Sequence, residues 1–385
     1  MIEKKYYHGI DSIRFLAACW VFCMHAIYIT NYYNGSQWFK FIQAKLIKTG
    51  VFGVYFFFVM SGFFIFNLLM TEKKTTSSIG LLKFYKKRAK RILPVYLAVL
   101  FLGFVIVPAF LWFFPNLNPF IPAYSFIPFD RWYYYVFGMV DFDLSWHSYT
   151  IPVLSVLWSV CVEIKFYLLA PLMVKFLQKN TLLASMFAVI IICGWFRIMH
   201  YNHPHYYHYH PLAFGDMLAM GGIFAWIVNY KPLWINRLKN LPKILTLLPY
   251  IFTILLIFYR NWIYSHSEWA AVVVSIEPMV ISILFALVIA EQNYVPNSYI
   301  KFEKFKLLQY LGVRTYGVYG FHLFFLFLVI GLFQLAGLHS KTILNNWVYL
   351  SEIILTFVLT LLASIWFYDK VEKPIIEKRF WKKSP

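Results

Sequence analysis

Arg14 and His25 stand eleven residues apart in the apolar stretch 10–30. At about 100° per residue, that spacing returns to within roughly 20° of one helix face, and Asp11 lies on the same stripe. A rise of about 1.5 Å per residue puts His25 roughly 16 Å further along than Arg14. If the stretch crosses a bilayer, the guanidinium lies near one surface and the imidazole near mid-membrane. A histidine can serve as a general base near neutral pH or carry an acyl group as a nucleophile. An arginine can steady a developing oxyanion or grip an anionic donor. The plainer reading is a packing histidine with a snorkelling arginine. In the run 157–167, Ser159, Glu163 and Tyr167 repeat at four-residue spacing and share a face, with Trp158 beside them. A carboxylate in so apolar a segment needs a partner. His25 is one choice, which it would orient as in a catalytic triad, and charge neutralisation by Lys165 or Arg197 is the other. His322, inside the run 316–322, is a third ionisable group that in isolation reads as a core histidine.

Six cations fall in the nine residues 83–91, ahead of a helix expected to open at Pro94. Guanidinium groups bind phosphate oxygens in a bidentate fork, so Arg88 and Arg91 could clamp a phosphate-bearing donor such as a coenzyme A thioester. The alternative is a topological signal alone. His200, His203, His205, His208 and His210 crowd another segment. Tyrosines and a proline interleave them and no cysteine or carboxylate joins them, so we expect an interfacial or glycan-contacting loop and no metal site.

The elements that must hold these groups are membrane helices. Hydrophobic residues make up 61% of the 385 residues and charged residues 13%, too little polar surface to cover a soluble globule. The spacing predicts an all-α polytopic bundle of about ten helices, over 10–30, 50–70, 94–113, 151–175, 181–199, 212–228, 245–262, 270–290, 311–336 and 347–368. Arg14 and His25 interrupt the first stretch and it has no small-residue cleavage site, so it is expected to be retained. Aromatic stretches at 110–120 and 124–135 read as interfacial anchors. The four cysteines all fall within apolar stretches, so no disulfide framework is expected. With alternate crossings, 25 of the 35 Lys and Arg fall on one side and 7 on the other. That bias predicts that both termini are cytoplasmic. The formal charge of +19 is thereby assigned to one membrane face and its anionic lipid, which excludes nucleic acid as the reason for it.

Together these clusters resemble the acyltransferase-3 family of membrane O-acyltransferases along the whole chain. The opening Ile10-Asp11-Ser12-Ile13-Arg14-Phe15 followed by His25 is similar to its first-helix pattern, and 53–63, with Ser61-Gly62-Phe63, to its second. Arg88, Arg91, Pro94 and Tyr96 resemble its basic motif. Trp158, Ser159, Glu163, Phe166, Tyr167 and Pro171 resemble its tryptophan-serine-glutamate motif, and Tyr319, His322 and Val371-Glu372-Lys373-Pro374 complete the set. Tyr55 stands where many members carry a polar or charged residue, and Lys165 where glutamine is common. The resemblance implies a multi-pass enzyme of the cell membrane that moves an acyl group, usually acetyl from acetyl-coenzyme A, to a hydroxyl of a surface polysaccharide, lipopolysaccharide or lipid-linked sugar. Acetyl-coenzyme A would be a substrate, with no tightly bound cofactor. His25, Glu163 and Arg14 are then the expected catalytic groups, and Arg88 and Arg91 the donor-binding ones. Asp11, Ser61, Trp158, Ser159 and His322 are further candidates. Residues 1–385 are expected to form one membrane domain with a basic tail, 369–385. With 17 residues after the last expected span, the extracytoplasmic hydrolase-like domain that some members append is not expected. Transfer would then be completed in the membrane domain or handed to a separate protein. The rival class is a proton-coupled or glycolipid transporter, which would use the same buried Arg, His and Glu as a relay.

Overall fold

A computed structural model describes residues 8–30, 37–115, 131–147, 151–265, 269–338 and 346–377. Lys4, Lys5, Lys341, the basic tail beyond 377 and much of the two aromatic stretches lie outside them. The described residues are helical with no strand, as expected where lipid offers the backbone no hydrogen bonds and each segment must satisfy its own. In chain order the helices are α1 (His8–Thr30), α2 (Gln37–Thr49), α3 (Val51–Thr76), α4 (Leu81–Phe101) and α5 (Val107–Phe113), with a π-helical turn, Leu102–Ile106, joining the last two. Short helices α6 (Trp132–Val136), α7 (Val140–Trp146) and α8 (Pro152–Ser155) lead into α9 (Leu157–Phe176) and α10 (Lys179–Met199). Next come α11 (Pro204–Tyr209), α12 (Gly215–Tyr230), α13 (Pro232–Lys239), α14 (Leu248–Ser265), α15 (Ala270–Tyr294) and α16 (Lys306–Gly312). The chain ends in α17 (Thr315–Leu335) and α18 (Asn346–Phe367), which a second π-helical turn, Tyr368–Glu372, joins to α19 (Lys373–Glu377).

Among the described residues, nine helical stretches are long and apolar enough to cross a membrane. The tenth expected span, 212–228, corresponds to α12, which has 16 residues. That is roughly 24 Å of helix, short of a hydrocarbon core about 30 Å thick. Protein, rather than lipid, surrounds it. A side chain on Gly221 would meet the Val59 carbonyl oxygen at 2.0 Å, and one on Gly62 the Leu218 carbonyl oxygen at 2.0 Å. The α3 and α12 backbones therefore touch, as small residues permit between membrane helices.

Interhelical hydrogen bonds sort the helix ends into two sets. Lys73 Nζ donates to the Val174 and Leu177 carbonyls (2.6 and 3.0 Å), and Lys74 to that of Asn229. The C-terminal ends of α3, α9 and α12 thus meet, each cation beside exposed helix-end carbonyls where it is most favourable. At the opposite end Arg260 donates to the Lys48 carbonyl (2.9 Å), and Arg197 to those of Ala213 (2.7 Å) and Ser275 (2.8 Å). The first set is the basic end, in agreement with the alternating spans. Three further charges are neutralised within the bundle. Arg197 forks onto Asp216 (2.9 and 2.6 Å), Arg260 onto Glu277 (2.6 and 3.1 Å), and Lys165 reaches Asp141 (2.7 Å).

Candidate active site

The α4 segment begins earlier than the position of Pro94 predicts. The basic run is its first three turns, and Pro94 lies inside the helix. Lys and Arg are good helix formers and Gly80 precedes the first turn, so the helix nucleates before the proline, which removes one backbone donor without ending it. Helical geometry then separates the six cations. Arg88, half-buried, and Arg91, exposed, lie on the side of buried Phe84, Ile92 and Val95, while Lys83, Lys86 and Lys87 are exposed.

Arg88 and Arg91 open onto a cavity of about 110 Å³ bounded by α1, α3, α4, α9 and α17. Arg14 stands with them at its basic end. Ser61, Glu163 and Tyr167 line its middle, and Phe57, Phe58, Ser159 and Tyr319 its far part. Asp11 holds Arg14 Nη1 at 3.1 Å, as the shared stripe predicts. The buried Nε atoms of Arg14 and Arg88 have no hydrogen-bond partner, although such donors are rarely left unmet. The guanidinium of Arg88 rests 5.6 Å from the centre of the Tyr167 ring. An anion entering here would satisfy the arginines and be held by them.

The partner of Glu163 is not His25. Its carboxylate accepts a hydrogen bond from Ser61, whose hydroxyl also lies 3.4 Å from that of Tyr167. The alternatives fail too, because Lys165 is engaged by Asp141 and Arg197 by Asp216. Ser159, Glu163 and Tyr167 do share a face, but it is turned to α3 and α17 rather than to α1. The Ser159 hydroxyl meets that of Tyr319 at 2.7 Å. His25 pairs instead with His322. Nδ1 of His25 lies 3.0 Å from Nε2 of His322, whose Nδ1 lies 2.7 Å from the Tyr319 carbonyl. His322 is 1% exposed. The imidazoles do not line the cavity wall itself. They follow one helical turn beyond Tyr319, whose ring packs edge-on to Phe57 at 6.2 Å.

Trp158 links this region to the other end of the molecule, packing on Phe58 (6.2 Å), Phe214 (4.8 Å) and Tyr209 of α11 (5.7 Å). The histidine-rich segment is an aromatic stack. His200 lies on Phe196 at 4.1 Å and on Tyr206 at 5.2 Å, and His210 on Phe196 at 4.7 Å. Burial pushes His210 down to about 4, with repulsion from His200 and Lys165 adding to it. Among the described residues, no three histidine, cysteine or acidic side chains gather as metal ligands would. Sequence reasoning missed Asp141 as the partner of Lys165, and Tyr319 as the link between the cavity and His322. Tyr319 was visible beside His322, but nothing in spacing connects it to Ser159, 160 residues earlier.

Residues 7–369 match the acyltransferase-3 family, described as an acyltransferase domain. The chain is 28% identical to the O-acetyltransferase OatA of Staphylococcus aureus over 99% of its own length and 59% of that protein's. It is 26% identical to the peptidoglycan O-acetyltransferase OatA of Listeria monocytogenes, over 98% of its own length and 57% of that protein's. It thus spans about three-fifths of the length of these curated relatives. No solved structure matches it significantly.

Proposed function

The chain belongs to the acyltransferase-3 family, and from that premise we propose that it transfers acetyl from acetyl-coenzyme A to a hydroxyl of a surface glycan, with peptidoglycan, named for the Listeria relative, the first acceptor to test. The observation that carries the donor assignment is the convergence of Arg14, Arg88 and Arg91 on one end of the cavity, two of them with unmet buried Nε donors. With the basic end read as cytoplasmic, the donor phosphates dock there. The pantetheine arm runs up the cavity past Ser61 and Phe57 towards His25, roughly 16 Å along α1 from Arg14. Arg14 is then a donor-gripping residue rather than an oxyanion stabiliser, because it stands with the clamp and not with the imidazoles. The acceptor approaches from the opposite end, along the aromatic column of Tyr209 and Trp158, whose faces suit sugar rings.

His25 takes the proton of the acceptor hydroxyl as its oxygen attacks the thioester carbonyl. A carbon–oxygen bond forms, the carbon–sulfur bond breaks, and the coenzyme A thiolate recovers the proton from His25. The test follows acetyl-labelled coenzyme A in membranes supplied with glycan. His25→Ala should lower transfer by about 100-fold to 10,000-fold, the usual effect of losing a positioned base, at unchanged protein level. Undiminished transfer by His25→Ala would remove the assignment. Movement of glycan with no label in it would favour a transporter.

A further inference from the structure

We infer that His322 is a positioning residue that selects the tautomer of His25, so that Nε2 of His25 is the atom exchanging the proton with the acceptor. The inference rests on the reading of His25 as the base and assigns a role to its neighbour. It follows from hydrogen-bond polarity alone. Nδ1 of His322 sits 2.7 Å from the Tyr319 carbonyl oxygen, and a carbonyl only accepts, so this nitrogen carries the hydrogen. In a neutral imidazole the other nitrogen, Nε2, is then a bare acceptor. It faces Nδ1 of His25 at 3.0 Å, so that nitrogen must be the donor. The hydrogen of His25 is thereby placed on Nδ1. What remains on His25 is the Nε2 lone pair.

A neutral imidazole free in water prefers the opposite tautomer, with the hydrogen on Nε2, in which that atom cannot take a proton. The pairing with His322 thus reverses the resting preference before substrate arrives. When Nε2 accepts the acceptor's proton, the imidazolium keeps Nδ1–H directed at the His322 lone pair. When Nε2 releases the proton to the departing thiolate, the starting tautomer returns. His322 stays neutral throughout and touches neither substrate. Its own position is secured from α17, which also places Tyr319 against Ser159 at 2.7 Å and so ties the imidazole pair to the cavity wall.

The test combines nitrogen NMR of the full-length protein labelled at histidine with two substitutions. In the native protein the Nδ1 of His25 should carry the hydrogen, and a hydrogen on Nε2 overturns the inference whatever the variants do. His322→Gln offers a side-chain oxygen near the place of Nε2 and should keep most of the transfer rate. His322→Leu offers none and should lower kcat by at least about 100-fold at unchanged donor KM, since loss of the correct tautomer at a comparable base costs on the order of 10,000-fold. Full activity in His322→Leu, with His25→Ala inactive, would overturn the role of His322 alone. Full activity in His25→Ala would instead remove the base itself, and the role of His322 with it.

Discussion

At the residue scale, the division of labour in the basic run is set by helix geometry. Six cations within nine residues look alike in sequence, yet among them the cavity is lined by Arg88 and Arg91 and not by Lys83, Lys86 or Lys87. Each charge-assisted contact to phosphate contributes about 1.5–3 kcal/mol, so Arg88→Ala and Arg91→Ala should each raise the donor KM by roughly 10-fold to 100-fold. Lysine at either position should recover part of the loss, because it keeps the charge but not the bidentate fork. Alanine at Lys83, Lys86 or Lys87 should leave donor KM within about twofold. Initial-rate measurements against acetyl-coenzyme A check all five, and equal effects at the lysines would make the run a topological signal only.

At the element scale, the site depends on how closely α3 can lie against α12. The α3 helix supplies Ser61, Phe57 and Phe58 to the cavity, and its neighbour face meets α12 backbone to backbone at Gly62 and Gly221. The obstacle to a larger residue at either glycine is a carbonyl group, which cannot rotate away as a flexible side chain can. Gly221→Val should therefore force the helices apart and destabilise the bundle by more than the typical overpacking cost of about 1–3 kcal/mol. A lower unfolding temperature in detergent, with reduced accumulation in membranes, is the expected readout. Native stability would show that α12 can slide without disturbing α3.

At the scale of the whole molecule, the proposed transfer needs donor and acceptor to arrive from opposite faces. The two sets of helix ends support this. One carries Lys73, Lys74 and the α4 arginines, and the other carries Arg197, Arg260 and the aromatic stack of α11. Reporter fusions at Tyr85 should be cytoplasmic and those at Pro204 external. An internal reporter at Pro204 would put both substrates on one side and overturn the through-membrane route.

What the sequence determined by itself is what a single helix can encode. Apolar runs gave all ten expected helices, nine of them long and apolar enough to cross a membrane and the tenth the shorter α12. The cation bias gave two chemically distinct ends, and the 3.6-residue period placed Asp11 with Arg14 and Ser159 with Glu163 and Tyr167. These properties are local, so one segment suffices to read them. The enclosure of α12 by protein was not legible, because it comes from neighbouring helices, nor was the early start of α4, because helix propensity ahead of Pro94 outweighs one missing donor. Which faces meet was decided only by the tertiary structure. Glu163 could equally have sought His25, Lys165 or Arg197, all ionisable and all at plausible depth. Ser61 took it because α3 packs on α9, Asp141 and Asp216 claimed the two cations, and α17 brought His322 to His25 across 297 residues. A helix period specifies the direction in which a side chain points around its own axis. Only the packing of all the helices at once, governed by small residues, aromatic volume and the need to pair each buried charge, specifies what stands opposite.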